Sequence, residues 1–590
     1  MRRLVVGLFA AIGLVAALMV IGVGVVVWRL AAATPSVPER VVLQVDLSRG
    51  LAAGASADPL SEVVFGGGKM TLRSFLDALE RGAADPRVKG LFARVGGDSL
   101  GLGVTQEVRD AIREFRAKGK FAIAFADSFG EFGPGTRPYY LATAFDEMWL
   151  QPLGSLGLIG LHSEQTFFRG ALDKLGVVPS FAHREEYKTA TNTLTETAMT
   201  PAQREEVEDL VNASERQIVH GIAEARKLGE EEVRALIDRG PWIAHEALHA
   251  HLVDQVGYRD QAIDKARAKA GAGAKFMSLK HYLDAAGKPH QEGPKIALIY
   301  ANGLIATGDS TSSPLLGESG VTARKLARGF RQAAADKEVR AILFRIDSPG
   351  GSAVASETIW REVVRAKEHG KPVIVSMGDV AGSGGYYIAA PADKIVAEPG
   401  TLTGSIGILA GKVVVGDLMK KLGITSESVQ RGANAGMFSV FEDFSASGTE
   451  RLNTFLDDIY RGFKERVANG RHLSADQVEA AAKGRVWSGE EAKANGLVDE
   501  LGGYAMAIRL AKAAAKIAPD AAFKLTVYPH ERGIIEKVYD RLTGQDEDSD
   551  TAIPSAAQSL LGQTAALLSD AMALVGERGL LRMPPLGEIR

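Results

Sequence analysis

The sequence predicts an α/β protein in which one fold is written twice. Three observations carry that reading. Segments recur: Val88–Val95 resembles Val339–Ile346, and the run Tyr139-Tyr-Leu-Ala resembles Tyr386-Tyr-Ile-Ala. Trp242–Asp254 and Trp487–Asp499 share six of thirteen residues, where chance gives about one. The offsets, 251, 247 and 245, drift only by small loop changes. They far exceed the ~20–50-residue period of a solenoid, so a whole domain is duplicated. Within each copy, short apolar runs alternate with amphipathic stretches of helical length. That is the pattern of parallel βαβ units with buried strands.

Taken in order, the chain opens with Arg2 and Arg3 and then Leu4–Trp28, 25 residues without a charge. A helix crossing a ~30 Å hydrocarbon core needs about 20 apolar residues, whereas a signal-peptide core has only about 7–15. Residues 1–33 therefore read as one retained transmembrane anchor, with cleavage at Ala31-Ala32-Ala33 as the alternative. The two leading arginines against the single Arg29 behind favour a cytoplasmic N-terminus, with all later residues on the far side. A linker, 34–40, precedes the first copy, 41–285. Its expected elements are a strand at Val41–Leu47, a strand at Gly90–Val95, a helix and a third strand at Phe121–Phe125. Val104, Val108, Ile112 and Phe115 give that helix one apolar face. The glycine-rich segment Gly271–Lys295 ends this copy and, through a linker at 286–294, bridges to the second, 295–530. There the matching strands are Ile296–Tyr300, Ala341–Ile346 and Pro372–Met377. The tail, 531–590, has no repeat partner. An acidic hinge, Gln545–Asp550, is followed by apolar pairs at 560/561, 567/568 and 574/575, which predict an amphipathic helix. With almost no flanking lysine it suits packing on protein better than on a membrane surface.

Composition removes several function classes. With 69 Lys+Arg against 72 Asp+Glu, the chain lacks the basic excess that nucleic acid binding draws on. It has no cysteine, hence no disulfide, thiolate metal site or cysteine nucleophile. No phosphate-binding lysine loop, H-E-x-x-H pair or acidic calcium loop is present, so neither metal nor nucleotide cofactor is expected. Glycine is high, 66 of 590 residues, and much of it falls in loops that could approach a ligand closely.

The chemistry gathers in the second copy. The strand to Ile346 runs into Asp347-Ser-Pro-Gly-Gly-Ser352, a turn whose backbone N–H groups can face a bound carbonyl. The next strand ends in Ala381-Gly-Ser-Gly-Gly-Tyr386, and a third turn is Leu402-Thr-Gly-Ser-Ile-Gly407. Each alone reads as an ordinary tight turn, but three at successive strand ends of one sheet form a site. The first copy has instead Gly96-Gly-Asp-Ser-Leu100 and Phe129–Arg137, keeping only Gly154-Ser155, which suggests one live site and one retired copy. A serine nucleophile needs a base. None of the 11 histidines lies in these loops, which leaves a triad unsupported unless distant residues converge; a buried lysine is the other known solution.

These three motifs resemble those of the signal peptide peptidase A (protease IV) family in its long, duplicated form, over nearly all of residues 41–530. By that resemblance Ser383 is the nucleophile, Ser405 orients the base, and the N–H groups of Gly351 and Gly384 bind the oxyanion. The long form takes its lysine from the first copy, and Glu186-Tyr-Lys-Thr-Ala190 fits, with Thr189 where the family has serine. Lys188 is then the base, and its repeat counterpart near Ala433–Ala435 has no lysine. The resemblance further implies a Clp/crotonase-like fold, a homotetramer and no cofactor. It implies residence in the bacterial inner membrane facing the extracytoplasmic side, and remnant signal peptides and other apolar peptides as substrates. Two other classes remain open: a crotonase-like acyl-thioester enzyme, which would need neither Lys188 nor Ser383, and an inactive scaffold of the same fold.

Overall fold

The computed structural model describes residues 36–54, 69–308 and 320–529, and the backbone strand Leu580–Arg582. The expected anchor at 1–33 and the helix at 560–575 lie outside the described residues. Among those residues, no helix is long and apolar enough to cross a membrane.

Each copy folds around a parallel sheet. In the first, Val41–Asp46, Val88–Val95, Phe121–Ala126 and Glu147–Leu150 run side by side, each strand paired with its successor. The second repeats this with Lys295–Asn302, Val339–Ser348, Val373–Gly382 and Lys394–Ala397. Val41, Val42, Leu91, Phe92, Ile342 and Phe344 are fully buried, as runs covered by helices on both faces must be. The helix Leu102–Ala117 turns Val104, Val108, Ile112 and Phe115 into the core, each contributing about 1.5–3 kcal/mol.

The duplication extends to single hydrogen bonds. Tyr139 Oη donates to Leu252 O at 2.8 Å, and Tyr386 Oη to Leu497 O at 2.9 Å. Asp146 accepts from Ala122 N–H, and Asp393 from Val373 N–H, both at 2.7 Å. Each copy also has a 26-residue helix, Pro201–Arg226 and Ala446–Arg471, opened by a hydroxyl cap from Thr200 or Ser445.

Two departures from the sequence reading concern strand ends. The bridge Gly271–Lys295 contains a strand, Lys275–Ser278, that adds to the sheet edge beside Val41–Asp46. Four residues at an edge carry too little alternation to stand out. The strand expected to end at Met377 continues to Gly382, because Val380–Gly382 pairs with Leu402–Gly404.

The copies are interlocked. A third sheet joins Val178–His183 of the first to Leu409–Val414 of the second, antiparallel, from Val178 opposite Val414 to His183 opposite Leu409. One apolar core includes Val108 and Phe115 together with Leu298, Leu343 and Tyr504 of the second copy. Buried Arg345 donates to Glu107 of the first copy at 2.9 Å, and Glu107 also accepts from Tyr504 N–H at 2.6 Å.

Candidate active site

Ser383 follows the strand Val373–Gly382 and caps the helix Gly384–Ala389, with φ 52° and ψ −113°. Such a backbone costs of order 1–3 kcal/mol in a non-glycine residue and persists only where its surroundings hold it. Here Ser383 N–H donates to Gly404 O at 2.8 Å, and Tyr387 N–H donates to Ser383 O at 2.9 Å. The side chain makes no capping bond to its own helix. Its Oγ lies instead 2.8 Å from Lys188 Nζ.

Lys188 arrives from the other copy. After the strand Val178–His183, Arg184 N–H donates to Ile408 O at 3.0 Å and Tyr187 N–H to Lys483 O at 3.1 Å. These bonds thread the Glu185–Thr189 segment into the second half. Gly484, with φ 81°, lets it come close: a Cβ there would stand 2.6 Å from Lys188 N. Ser405, with φ 49°, closes the group; its Oγ and its carbonyl oxygen both lie 3.0 Å from Lys188 Nζ. Lys188, Ser383 and Ser405 are each 0% exposed.

Burial pushes the Lys188 amine down to about 7 from its ordinary value near 10.5, and the Glu206 carboxylate acts against that shift. Glu206 comes from the helix Pro201–Arg226 and is fully buried. Its Oε1 accepts from Val486 N–H at 2.6 Å, while Oε2 has no hydrogen-bond partner among the described residues. Burial pushes this carboxyl up to about 8, against the pull of the Val486 N–H, Arg485 and Lys188. Glu206 was not singled out from the sequence. The signal was there, since it sits on the buried stripe Gln203, Val207, Leu210 and Ser214, where a carboxylate is out of place.

Gly351 and Gly384 adjoin. A Cβ on Gly384 would lie 3.1 Å from Gly351 N, and one on Gly351 would lie 2.1 Å from Ile305 O. Gly384 is the first residue of its helix, so its N–H has no intrahelical acceptor. The turn before Gly351 is braced by Ser348 Oγ, which accepts from Gly350 N–H at 3.1 Å and donates to Gly303 O at 2.6 Å. Two further half-buried carboxylates brace these loops, and the second ties them to the first copy. Asp347 accepts from Val380 N–H at 3.1 Å within the second copy, and Asp379 accepts from Gly101 N–H at 3.2 Å and Val104 N–H at 2.8 Å. Burial first, and then the neighbouring Asp379 charge, push Asp347 up to about 7.

The first-copy loops hold a different set: the retained Ser155 has its Oγ 3.0 Å from Ser128 Oγ, and in the rewritten loops Arg137 pairs with Asp98 at 2.7 Å. Among the described residues, Asp77, Glu80 and His290 are close enough together to share a metal ion. Their ligand atoms are already engaged, Asp77 by Arg73 and Glu80 by His290 at 2.8 Å.

Comparison with known proteins gives a consistent result. The family described as Peptidase family S49 matches residues 115–273 and 365–518, one stretch in each copy. The chain is similar to Protease 4 of Salmonella typhi, 31% identical over 524 residues, which cover 86% of this chain and 80% of that protein. It is also similar to Protease 4 of Haemophilus influenzae, 32% identical over 454 residues, covering 74% and 71%. The chloroplastic serine protease SPPA of Arabidopsis thaliana is 31% identical over 461 residues, covering 76% of this chain and 66% of the relative.

Proposed function

The chain belongs to Peptidase family S49 and is a serine peptidase, and from that membership we propose that it cuts apolar peptides, cleaved signal peptides among them, with a Ser-Lys dyad shared between its two copies. Ser383 is the nucleophile. Lys188, as the free amine, takes the proton from Ser383 Oγ while that oxygen attacks the scissile carbonyl. The N–H groups of Gly351 and Gly384 bind the oxygen as it becomes negative. When the tetrahedral intermediate collapses, the Lys188 ammonium returns its proton to the leaving amine and an acyl ester remains on Ser383. Water, deprotonated by the same amine, then releases the acyl group. Ser405 orients Lys188 without adding charge; a carboxylate in its place would hold the proton on the amine.

The observation that carries this reading is the fully buried Lys188 Nζ at 2.8 Å from Ser383 Oγ and 3.0 Å from Ser405 Oγ. An acyl-thioester enzyme would have no use for that arrangement. The finer reading also includes a Clp/crotonase-like fold for each copy and assembly as a homotetramer. The uncharged run Leu4–Trp28 supports an anchor that holds the copies outside the cytoplasmic membrane, beside released signal peptides. Digestion of casein and of a synthetic signal peptide by the purified protein, with Ser383→Ala as control, tests the activity. Labelling by a serine-reactive fluorophosphonate separates it from an inactive scaffold: the wild-type protein should label and Ser383→Ala should not.

A further inference from the structure

Arg485 takes no part in the chemistry described above, yet it touches both segments that hold the base. It lies in the second copy, between Gly484, which lets the lysine backbone approach, and the strand Val486–Ser488, which pairs with Leu402–Gly404. Its carbonyl oxygen accepts from Ser405 N–H at 2.7 Å, so its backbone holds the residue whose Oγ is bonded to Lys188 Nζ. Its side chain reaches the other way, into the first copy. Nη1 donates to Glu205 Oε1 at 2.9 Å and to Tyr187 Oη at 3.2 Å, and Nη2 pairs with Asp209. Tyr187 Oη in turn donates to Glu205 Oε2 at 3.0 Å, which closes a ring of three side chains. The guanidinium also lies over two aromatic rings, 4.8 Å from the Tyr187 centroid and 4.6 Å from that of Trp487. A planar fork of donors with a weakly hydrated face suits both tasks, and an ammonium suits neither. Tyr187 immediately precedes Lys188, so whatever fixes the tyrosine fixes the lysine backbone.

The duplication supplies a comparison within the chain. The offset of 245 that matches Trp242 to Trp487 places Gly240 at the position of Arg485 and Pro241 at that of Val486. Glycine has no side chain to reach across, and proline has no N–H to give. The 26-residue helices align at the same offset. Arg451 then stands for Glu206 and Thr454 for Asp209, and only Glu205 keeps its counterpart, Glu450. Neither the arginine nor Asp209 recurs at its repeat position, where no lysine and serine have to be held together.

We propose that Arg485 is a positioning residue of the base: through Tyr187 and the helix Pro201–Arg226 it fastens the lysine-bearing segment of the first copy onto the Ser405 turn of the second, keeping the amine dry and within reach of Ser383. Release of that segment would admit water to Lys188 Nζ, relieve the burial that disfavours its charged form, and raise the pH at which the free amine appears. The charged groups around the amine are Glu206 on the long helix, Arg485 with its two carboxylates, and the Glu186–Lys483 pair at 3.6 Å. Tyr460 Oη also accepts from Lys483 N–H, at 3.2 Å. Glu205 and Asp209 carry negative charge, so through space alone their removal would favour loss of the lysine proton. Loss of the fastening acts in the opposite sense, and the sign of the effect separates the two.

This inference rests on the dyad reading, so its test follows Ser383 itself: the rate of fluorophosphonate labelling against pH in the full-length protein, with Tm measured alongside. Glu205→Gln/Asp209→Asn is the first variant, because those side chains are 54% and 45% exposed and their replacement leaves the core intact. Its labelling limb should move up by about one pH unit or more, which slows labelling at pH 7 by about fivefold. Arg485→Lys keeps the charge without the fork or the stacking face, and should move the limb the same way. Joining the two changes should add little to either, as residues in one network are not additive. A merely structural role would lower Tm and leave the limb in place. A limb that stays or moves to lower pH in the carboxylate variant, a wild-type limb in Arg485→Lys, or full additivity of the two overturns the proposal. Failure of the wild-type protein to label at any pH would instead overturn the dyad reading.

Discussion

Lys188 has no contact with water and stands 2.8 Å from Ser383 Oγ, whereas a lysine in solution holds its proton up to about 10.4. With the amine pushed down to about 7, kcat/KM should rise with pH through that value and then level off, a shape read from a pH–rate profile. Glu206 faces Lys188, Arg485 and the Val486 N–H, and Glu205 and Asp209 engage Arg485 from the same helix. With burial pushing Glu206 up to about 8, it holds its proton through most of the limb near 7 and carries little charge there. Glu206→Gln, which keeps the size and an acceptor for Val486, should therefore leave the acid limb nearly unmoved, and a clear shift to lower pH would mean that Glu206 is ionised beside the amine. The same burial has a cost in stability. Below about pH 7 both folded and unfolded chains hold the lysine proton, so the penalty is full; from there to about 10.5 the unfolded chain binds more protons, and stability rises with pH as the penalty fades. Lys188→Met removes the penalty. Its Tm should exceed that of the wild type by a few degrees (about 2–4 °C per kcal/mol in a chain this large), most clearly below pH 7, and a lower Tm would contradict this.

Two elements bring Lys188 to its place: the strand Val178–His183, which pairs with Leu409–Val414, and the turn at Gly484, which lets the lysine backbone approach. Gly484→Ala adds a Cβ at 2.6 Å from Lys188 N in a backbone of φ 81°, so the lysine segment must move. A displacement of about 1 Å at a reacting group can cost about 100-fold, and kcat should fall by roughly that much while the fold, followed by circular dichroism, stays. Much of this was legible in the sequence. The repeat exposes which loops were kept, and the residues named from the motifs, Lys188, Ser383 and Ser405, lie within one hydrogen-bonded cluster. Three features were not legible. The strand Lys275–Ser278 is too short to show alternation; Val380–Gly382 becomes strand only through a partner distant in sequence; and the tail strand Leu580–Arg582 is defined by the edges that receive it. Glu206 lies between these cases, visible as a carboxylate on an apolar stripe, yet meaningless until the stripe's neighbour is known.

At the scale of the whole molecule, neither copy is complete alone. The proposed dyad takes Lys188 from the first and Ser383 from the second, and charge as well as apolar surface binds the two copies. Arg345 and Glu107 are 2% and 4% exposed, and Glu107 also holds Tyr504 N–H. Removing one partner of such a pair strands the other without water, at about 3–5 kcal/mol. Glu107→Ala should therefore lower the denaturant midpoint markedly, and a midpoint equal to wild type would contradict a tightly joined pair of copies. The interlock is what allows a catalytic group to cross from one copy to the other, and that crossing is the central claim. The most direct test is peptide turnover by Lys188→Ala beside Ser383→Ala, with folding of both verified by circular dichroism. Two residues that act as a unit should fail together, so both variants should be inactive to a similar degree, and Lys188→Arg should not recover activity because a guanidinium keeps its proton. Near wild-type turnover by Lys188→Ala would contradict the account and send the search for the base elsewhere.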